Sequence, residues 1–300
     1  MANEVAIHHS IHSVNVYIGS AIWRSVEPLH MKALMPLLRD PSYEYWPQIG
    51  DACMERVRGI SATYFLRHTD ADVHLSLDSD IIEFEKDAID RMCEQTEKYD
   101  IVGAVYICRS TSRTFPATFF NDGGVIEFAF DPTPKPVQWV ATGCLAVHRR
   151  VFEKMAEMMP LLHERDGKRA FYDFYETMHY DTKDMGLIKL TEDYAFSQRA
   201  KDLGFTSYIN PAVRVGHMGP YAYRLEDMAQ TVLEPQPMKL ERRGTLWRVE
   251  CAMNEETPEG KGEEIREKFS RAERRRNQRK EKALTPIGGL HKGVDNAKRF

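Results

Sequence analysis

Two carboxylates one residue apart, Asp78 and Asp80, close the run His74-Leu75-Ser76-Leu77 and enclose Ser79. On an extended segment, residues i and i+2 project to the same side, so both carboxylates can face one divalent cation. Hard cations such as Mg²⁺ and Mn²⁺ bind carboxylates and bridge to phosphate oxygens. An Asp-x-Asp triplet by itself is as readily a solvated loop, so other residues have to argue for the metal. A second acidic pair, Glu192-Asp193, follows Thr191 at the predicted start of a helix. Acids there complement the helix dipole; they can equally contact an acceptor or take its proton. His217 stands in Gly216-His217-Met218-Gly219, where glycines let the backbone approach a ligand closely. Its neutral imidazole could complete a coordination shell begun by Asp80, and one nitrogen ligand tilts the choice towards Mn²⁺ over Mg²⁺.

These residues need a scaffold that gathers strand ends. Residues 14–18 read as a first buried strand, ended by Gly19 and Ser20, and 30–39 as a helix interrupted by Pro36. Residues 51–67 carry Val57, Ile60 and Tyr64 at helical spacing. A strand over 72–77 then runs into Asp78. Residues 84–99 place Phe84, Ala88, Ile89, Met92 and Cys93 on one face of a helix, and 101–107 is a β-branched, buried strand. Alternating strands and helices predict an α/β layered fold with a largely parallel sheet, and ligands sit outside the carboxyl ends of such strands. Residues 109–136 read as irregular, with a hairpin at Asn121-Asp122-Gly123-Gly124. A strand over 139–148, a helix over 150–158 and a loop over 166–186 follow. A helix over 192–203 has Thr191 as N-cap and Gly204 as stop, and 205–209 is the last strand.

The 300 residues are 42% hydrophobic, enough for one large domain with an extension. The expected division is a catalytic domain over 1–230 and a charged helix or tail over 231–300. Within 263–282, nine Lys or Arg interleave with five Glu; such a segment is either a salt-bridged solvated helix or a phosphate-backbone contact. A net charge of −4 selects no partner. Five scattered cysteines without a CxxC pair argue against zinc ribbons and redox motifs. No signal-like start and no long apolar run are seen, so the expected location is the cytoplasm (the host's, for a phage-encoded chain).

In their order along the chain these pieces resemble the GT-A glycosyltransferase superfamily, especially its small family-2-like members. The resemblance rests on Arg56-Val57-Arg58, on His74 through Ile81, on Ile101-Val102-Gly103-Ala104-Val105-Tyr106, on Thr142-Gly143 through Arg149-Arg150, on Thr191-Glu192-Asp193 and on Gly216-His217. It spans about residues 12 to 223 and implies a Rossmann-like, mixed but mostly parallel sheet flanked by helices. It also implies transfer of a sugar from a nucleoside-diphosphate sugar, UDP by family prior, with Mn²⁺ or Mg²⁺ as cofactor. Ile18, Gly19 and Ser20 would then lie at the base and ribose, with Ser79 beside them. Asp78 would contact ribose or a metal-bound water, and Asp80 and His217 would ligate the metal. Arg58 would reach a phosphate or the sugar, and Gly143 the sugar-facing wall. Asp193, or Glu192, would be the catalytic or acceptor-binding carboxylate. Gly59 departs from the Asn that often follows the helical Arg. An inverting enzyme would use the carboxylate as base; a retaining one could leave the proton to the diphosphate.

The acceptor expected first is a hydroxymethylated base in DNA, as in phage-type relatives, engaged through the basic segment. Arg109, Arg113, Phe171, Tyr172, Phe174 and Tyr175 would then line the acceptor side. Alternatives are a surface glycan or small polyol as acceptor, a nucleotidyltransferase, and a non-catalytic nucleic-acid-binding protein. Gly19-Ser20-Ala21-Ile22-Trp23-Arg24 is a poor match to the Gly-rich phosphate loop a nucleotidyltransferase needs.

Overall fold

A computed structural model describes residues 14–109, 114–119, 125–128, 131–182, 186–225, 238–243 and 246–251. The predicted turn at 121–124, Arg113 and the charged segment 263–282 lie outside the described residues.

The chain opens β1 (Val16–Ile22), α1 (Pro28–Leu38), β2 (Tyr43–Ile49), α2 (Met54–His68) and β3 (Val73–Leu77). It continues with α3 (Lys86–Tyr99), β4 (Ile101–Val105), β5 (Lys135–Val137), β6 (Cys144–His148), α4 (Arg149–Ala156), α5 (Glu192–Asp202) and β7 (Ser207–Arg214). These seven strands form one sheet in the order β2-β1-β3-β6-β4-β7-β5. Pairs β2/β1, β1/β3 and β4/β7 are parallel; β6 runs against both of its neighbours and β5 against β7. The fold is therefore mixed α/β with a mostly parallel central sheet, as the alternation predicts.

Side-chain alternation along β1 divides the core. Val16 and Ile18 face a cluster with Leu34 and Leu37 of α1 and Ile89 and Met92 of α3. Tyr17 faces a cluster with Phe65 of α2, Phe152 of α4 and Phe196 of α5. Helices thus cover both faces of the sheet, which is why β3 and β4 are buried at every position and read as continuous apolar runs.

Several boundaries differ from expectation. β1 runs on to Ile22, because Gly19 and Ser20 pair with Trp46 and Pro47 of β2 instead of ending the strand. β2 itself went unread: a strand with Pro47 inside it belongs on a sheet edge, and β2 pairs only with β1. Pro36 leaves α1 unbroken. The predicted strand 139–148 is two pieces, Trp139–Val140 and β6, separated by Ala141-Thr142-Gly143. The expected loop 166–186 holds strands: Ala170–Tyr172 pairs with Leu161–His163, and Met178–Thr182 pairs with Gly186–Leu190. Met238–Arg243 pairs with both Leu246–Cys251 and Val125–Phe128, within a compact unit that spans Met1–Ala252. The strand at 125–128 lies in the segment read as irregular.

Candidate functional site

The carboxyl ends of β1 and β3 open into a cavity of about 520 Å³. Its wall includes Trp23, Arg58, Asp78, Ser79, Asp80, Gly143, Glu192, Asp193 and His217. Residues far apart in the chain meet there because the sheet order places β3 beside β6, whose approach carries Gly143. Asp78 N–H donates to the Gly143 carbonyl (2.8 Å), locking the end of β3 to the break before β6. Gly143 N–H in turn donates to the Tyr106 hydroxyl at 3.0 Å, and a Cβ at Gly143 would stand 2.6 Å from that oxygen. A side chain at 143 would displace the Tyr106 hydroxyl from this bond.

The two aspartates do not share one environment. After Leu77 the chain turns, with Ile81 N–H donating to the Asp78 carbonyl (3.0 Å), so the extended geometry expected of the triplet is replaced by a tight turn. Both Asp78 oxygens accept from Arg58, at 3.0 Å each, and Arg58 also donates to Ser76 Oγ (2.9 Å). Burial raises the Asp78 pKa, and the Arg58 charge opposes that rise. Burial likewise works against the charge on Arg58, but Asp78 and Asp193 outweigh it, so the guanidinium stays charged. Arg58 is thus committed to the wall, with both Asp78 oxygens engaged by it.

Asp80 is placed by the opposite side of the cavity. Gly216-His217-Met218 is a short strand pairing with Ile81–Ile82, and Met218 N–H donates to the Asp80 carbonyl (2.8 Å). A Cβ at Gly216 would meet Ile82 Cγ1 at 2.8 Å, so the glycine permits this pairing. His217 Nδ1 lies 2.9 Å from the Ile107 carbonyl oxygen and therefore carries the proton there. Its Nε2 faces Asp80 Oδ1 across 3.6 Å, and that buried oxygen has no hydrogen-bond partner. Asp80 Oδ2 pairs with Arg109 at 2.8 Å. Burial pushes the Asp80 carboxyl up, but His217 and Arg109 prevail and hold it below its ordinary value.

Asp193 opens α5 and accepts a hydrogen bond from the Thr142 hydroxyl, with Arg58 Nε 3.8 Å away. Glu192 beside it is pushed up, first by burial and then by the Asp193 charge. Thr191 occupies the N-cap position, yet its side chain makes no capping bond, and Gly204 at φ 95° stops the helix region as expected.

The structure thus gathers Arg58, Asp78, Ser79, Asp80, Gly143, Glu192, Asp193 and His217 around one cavity. Ile18, Gly19 and Ser20 are not in its wall; Ala21, Ile22 and Trp23 are, because β1 ends later than expected. Ile18 is fully buried, and a Cβ at Gly19 would lie 2.1 Å from Ser61 Oγ, so that glycine serves packing. Of the aromatics proposed for the acceptor side, Phe171, Phe174 and Tyr175 are buried, Tyr172 is partly buried against the core, and Tyr175 stacks on Phe196 at 4.7 Å. Gly59 lets the strand Ala170–Tyr172 approach α2, since a Cβ there would stand 2.9 Å from the Tyr172 carbonyl. Sequence reading missed Tyr106, Thr142 and Trp23 as parts of the site; each directly follows a strand or precedes Gly143, which is the signal that was there.

Among the described residues, no group of three or more His, Cys, Asp or Glu converges to hold a metal by itself. No helix among them is long and apolar enough to cross a membrane. No family model matches the chain, and no curated protein matches it in sequence. Solved structures similar to it include A197 from STIV, at 17% identity and TM-score 0.45, covering 69% of this chain and 86% of that one. Another is HddC from Yersinia pseudotuberculosis (12% identity, TM-score 0.27, 47% of this chain and 60% of that one). A third is 2-C-methyl-D-erythritol 4-phosphate cytidylyltransferase from Thermus thermophilus (13% identity, TM-score 0.33, 72% of this chain and 96% of that one). Likenesses this distant leave the reading of the site to its own residues.

Proposed function

We propose that this chain is a metal-dependent glycosyltransferase that moves a sugar from a nucleoside-diphosphate sugar to a hydroxyl acceptor. The observation that carries the reading is the pair Asp80 Oδ1 and His217 Nε2. When Nε2 carries no proton, its lone pair and Asp80 Oδ1 face each other across 3.6 Å, and a cation can stand where the proton would. Such an arrangement fits a cation. The five carboxylates of the cavity wall (Asp51, Asp78, Asp80, Glu192, Asp193) against two arginines (Arg58, Arg109) fit it as well. Asp80 and His217 would hold Mn²⁺ or Mg²⁺, with substrate oxygens and water completing its shell. Bound there, the ion supplies Lewis-acid stabilisation of a departing diphosphate.

What favours sugar transfer over nucleotidyl transfer is the end of β1. Ala21, Ile22 and Trp23 offer an apolar wall suited to a base, where a triphosphate-binding enzyme places a basic, glycine-rich cradle. In the reaction the bond between the sugar's anomeric carbon and the diphosphate oxygen breaks, and a bond to the acceptor oxygen forms. Asp193, held by Thr142 and Arg58, takes the acceptor proton; attack with such a base inverts the anomeric centre. UDP remains the donor base first tried. Among the described residues the arginines of the cavity wall are Arg58 and Arg109, so DNA as acceptor rests on the segment 263–282, and glycans and polyols are assayed beside it.

The test is release of nucleoside diphosphate from UDP- and GDP-sugars with Mn²⁺ or with EDTA, in the presence of hydroxymethylated DNA or polyols. Metal-dependent release that falls at least about a hundredfold in Asp80→Asn is expected, the size of losing one electrostatic transition-state contact. Absence of release from every donor, with no nucleotide-dependent rise in melting temperature, would overturn the reading.

A further inference from the structure

Arg109 stands where the proposed cation site would otherwise be complete. Its Nη1 lies 2.8 Å from Asp80 Oδ2 and donates to the Met218 carbonyl at 3.2 Å. Its aliphatic stem crosses Gly219, whose Cβ position is 3.2 Å from Arg109 Cδ. The side chain is 46% exposed and lines the same cavity as Gly143 and Trp23.

We propose that Asp80 Oδ2 has two alternative partners, the Arg109 guanidinium and a divalent cation, and that Arg109, on releasing Asp80, binds the donor's diphosphate. This rests on the glycosyltransferase reading above. Three features support it. Arg109 meets Asp80 through Nη1, the nitrogen that also donates to the Met218 carbonyl, and its half-exposed side chain lines the cavity. A half-exposed, single-contact ion pair is weak enough to exchange. A guanidinium matches phosphate oxygens in paired hydrogen bonds, better than it matches the single carboxylate oxygen it now holds.

The charges then couple the two ligands. Without a diphosphate, Arg109 and a cation compete for one carboxylate and repel each other. With a diphosphate present, Arg109 has a better partner, and Asp80 is freed. Metal and diphosphate should therefore strengthen each other's binding, and Arg109 is the residue through which they do so.

The experiment is Mn²⁺ titration of the full chain, followed by the electron paramagnetic resonance signal of free Mn²⁺. It is run with MnCl2 alone and with inorganic pyrophosphate, corrected for Mn²⁺ that pyrophosphate binds in solution. Arg109→Met should bind Mn²⁺ alone more tightly than wild type, on the order of tenfold, and should lose most of the pyrophosphate enhancement. Arg109→Lys, which keeps the charge, should stay near wild type with Mn²⁺ alone. Asp80→Asn should lose Mn²⁺ in every background. Equal Mn²⁺ affinity in wild type and Arg109→Met, with Asp80→Asn still defective, would overturn the role of Arg109 and leave the metal site standing. No Mn²⁺ binding by wild type or Arg109→Met would remove the metal site itself.

Discussion

Two arginine–aspartate pairs flank the end of β3, two residues apart, and they are built for opposite purposes. Arg58 is 6% exposed, grips Asp78 through both terminal nitrogens and is braced by Ser76. Arg109 is 46% exposed and holds Asp80 through one. Behind Arg58, Gly19, Ser61 and His74 leave a residual void of only about 10 Å³. Both pairs line the main cavity, and their aspartates are about equally exposed, at 22% and 24%, so the difference lies in the arginines. The same chemical contact is therefore held by a buried arginine on one side of the turn and by a half-exposed one on the other, where the proposed exchange would occur.

The largest expected effect comes from breaking the buried pair. Removing one partner of a buried ion pair leaves an uncompensated charge and costs about 3–5 kcal/mol. Arg58→Met should therefore lower unfolding free energy in urea by that amount. Losing less than about 1 kcal/mol, the range of an exposed pair, would place Arg58 with Arg109 as a dispensable contact and erase the distinction.

The same rigid side predicts a pH dependence. His74 is enclosed between Tyr17, Phe65 and Phe152, with Nε2 3.2 Å from Ser61 Oγ. Burial first, and then the Arg58 charge, push its pKa down from 6.5 to about 3. Below pH 6.5 the unfolded chain takes up a proton that the folded one refuses until about pH 3. The stability due to neutral His74 is thus fully present above pH 6.5 and is lost as pH falls, by about 1.4 kcal/mol per unit once the unfolded histidine is protonated. Urea unfolding of wild type and His74→Gln between about pH 7.5 and 5, a range that spans the ordinary histidine pKa, measures it. Parallel curves for the two proteins would show that His74 accepts a proton in place, and that the space behind Arg58 is less closed than its geometry indicates.

The difference between the two sides also explains what the sequence could disclose. Asp78, Asp80, Glu192, Asp193 and His217 were legible because strand ends in an α/β sheet converge, and the apolar runs of β3 and β4 announce those ends. What could not be read was who holds whom. Arg58 lies twenty residues from Asp78, and Arg109 lies twenty-nine from Asp80; no local spacing couples either pair. The pairing of Gly216–Met218 with Ile81–Ile82 is likewise a long-range contact of short strands, invisible to periodicity. Gly19 was misplaced because a glycine near a strand end reads as a terminator or a ligand approach, when here it makes room for Ser61 and His74. Pro47 hid β2 because proline reads as a strand breaker unless the strand is known to be an edge.

The smallest expected effect sharpens the comparison most. Arg109→Met should change unfolding free energy by no more than about 0.5 kcal/mol, since exposed ion pairs contribute little and are screened by salt. Asp80 keeps His217 beside it and remains 24% exposed, so it is not left as an isolated buried charge. The methionine can also retain the apolar contact of the Arg109 stem with Gly219. Equilibrium unfolding in urea at low and moderate salt, with Arg58→Met alongside, decides the matter. A loss for Arg109→Met approaching that of Arg58→Met would mean that Arg109 is part of the scaffold, and a side chain that holds the scaffold together cannot also leave Asp80 for a diphosphate.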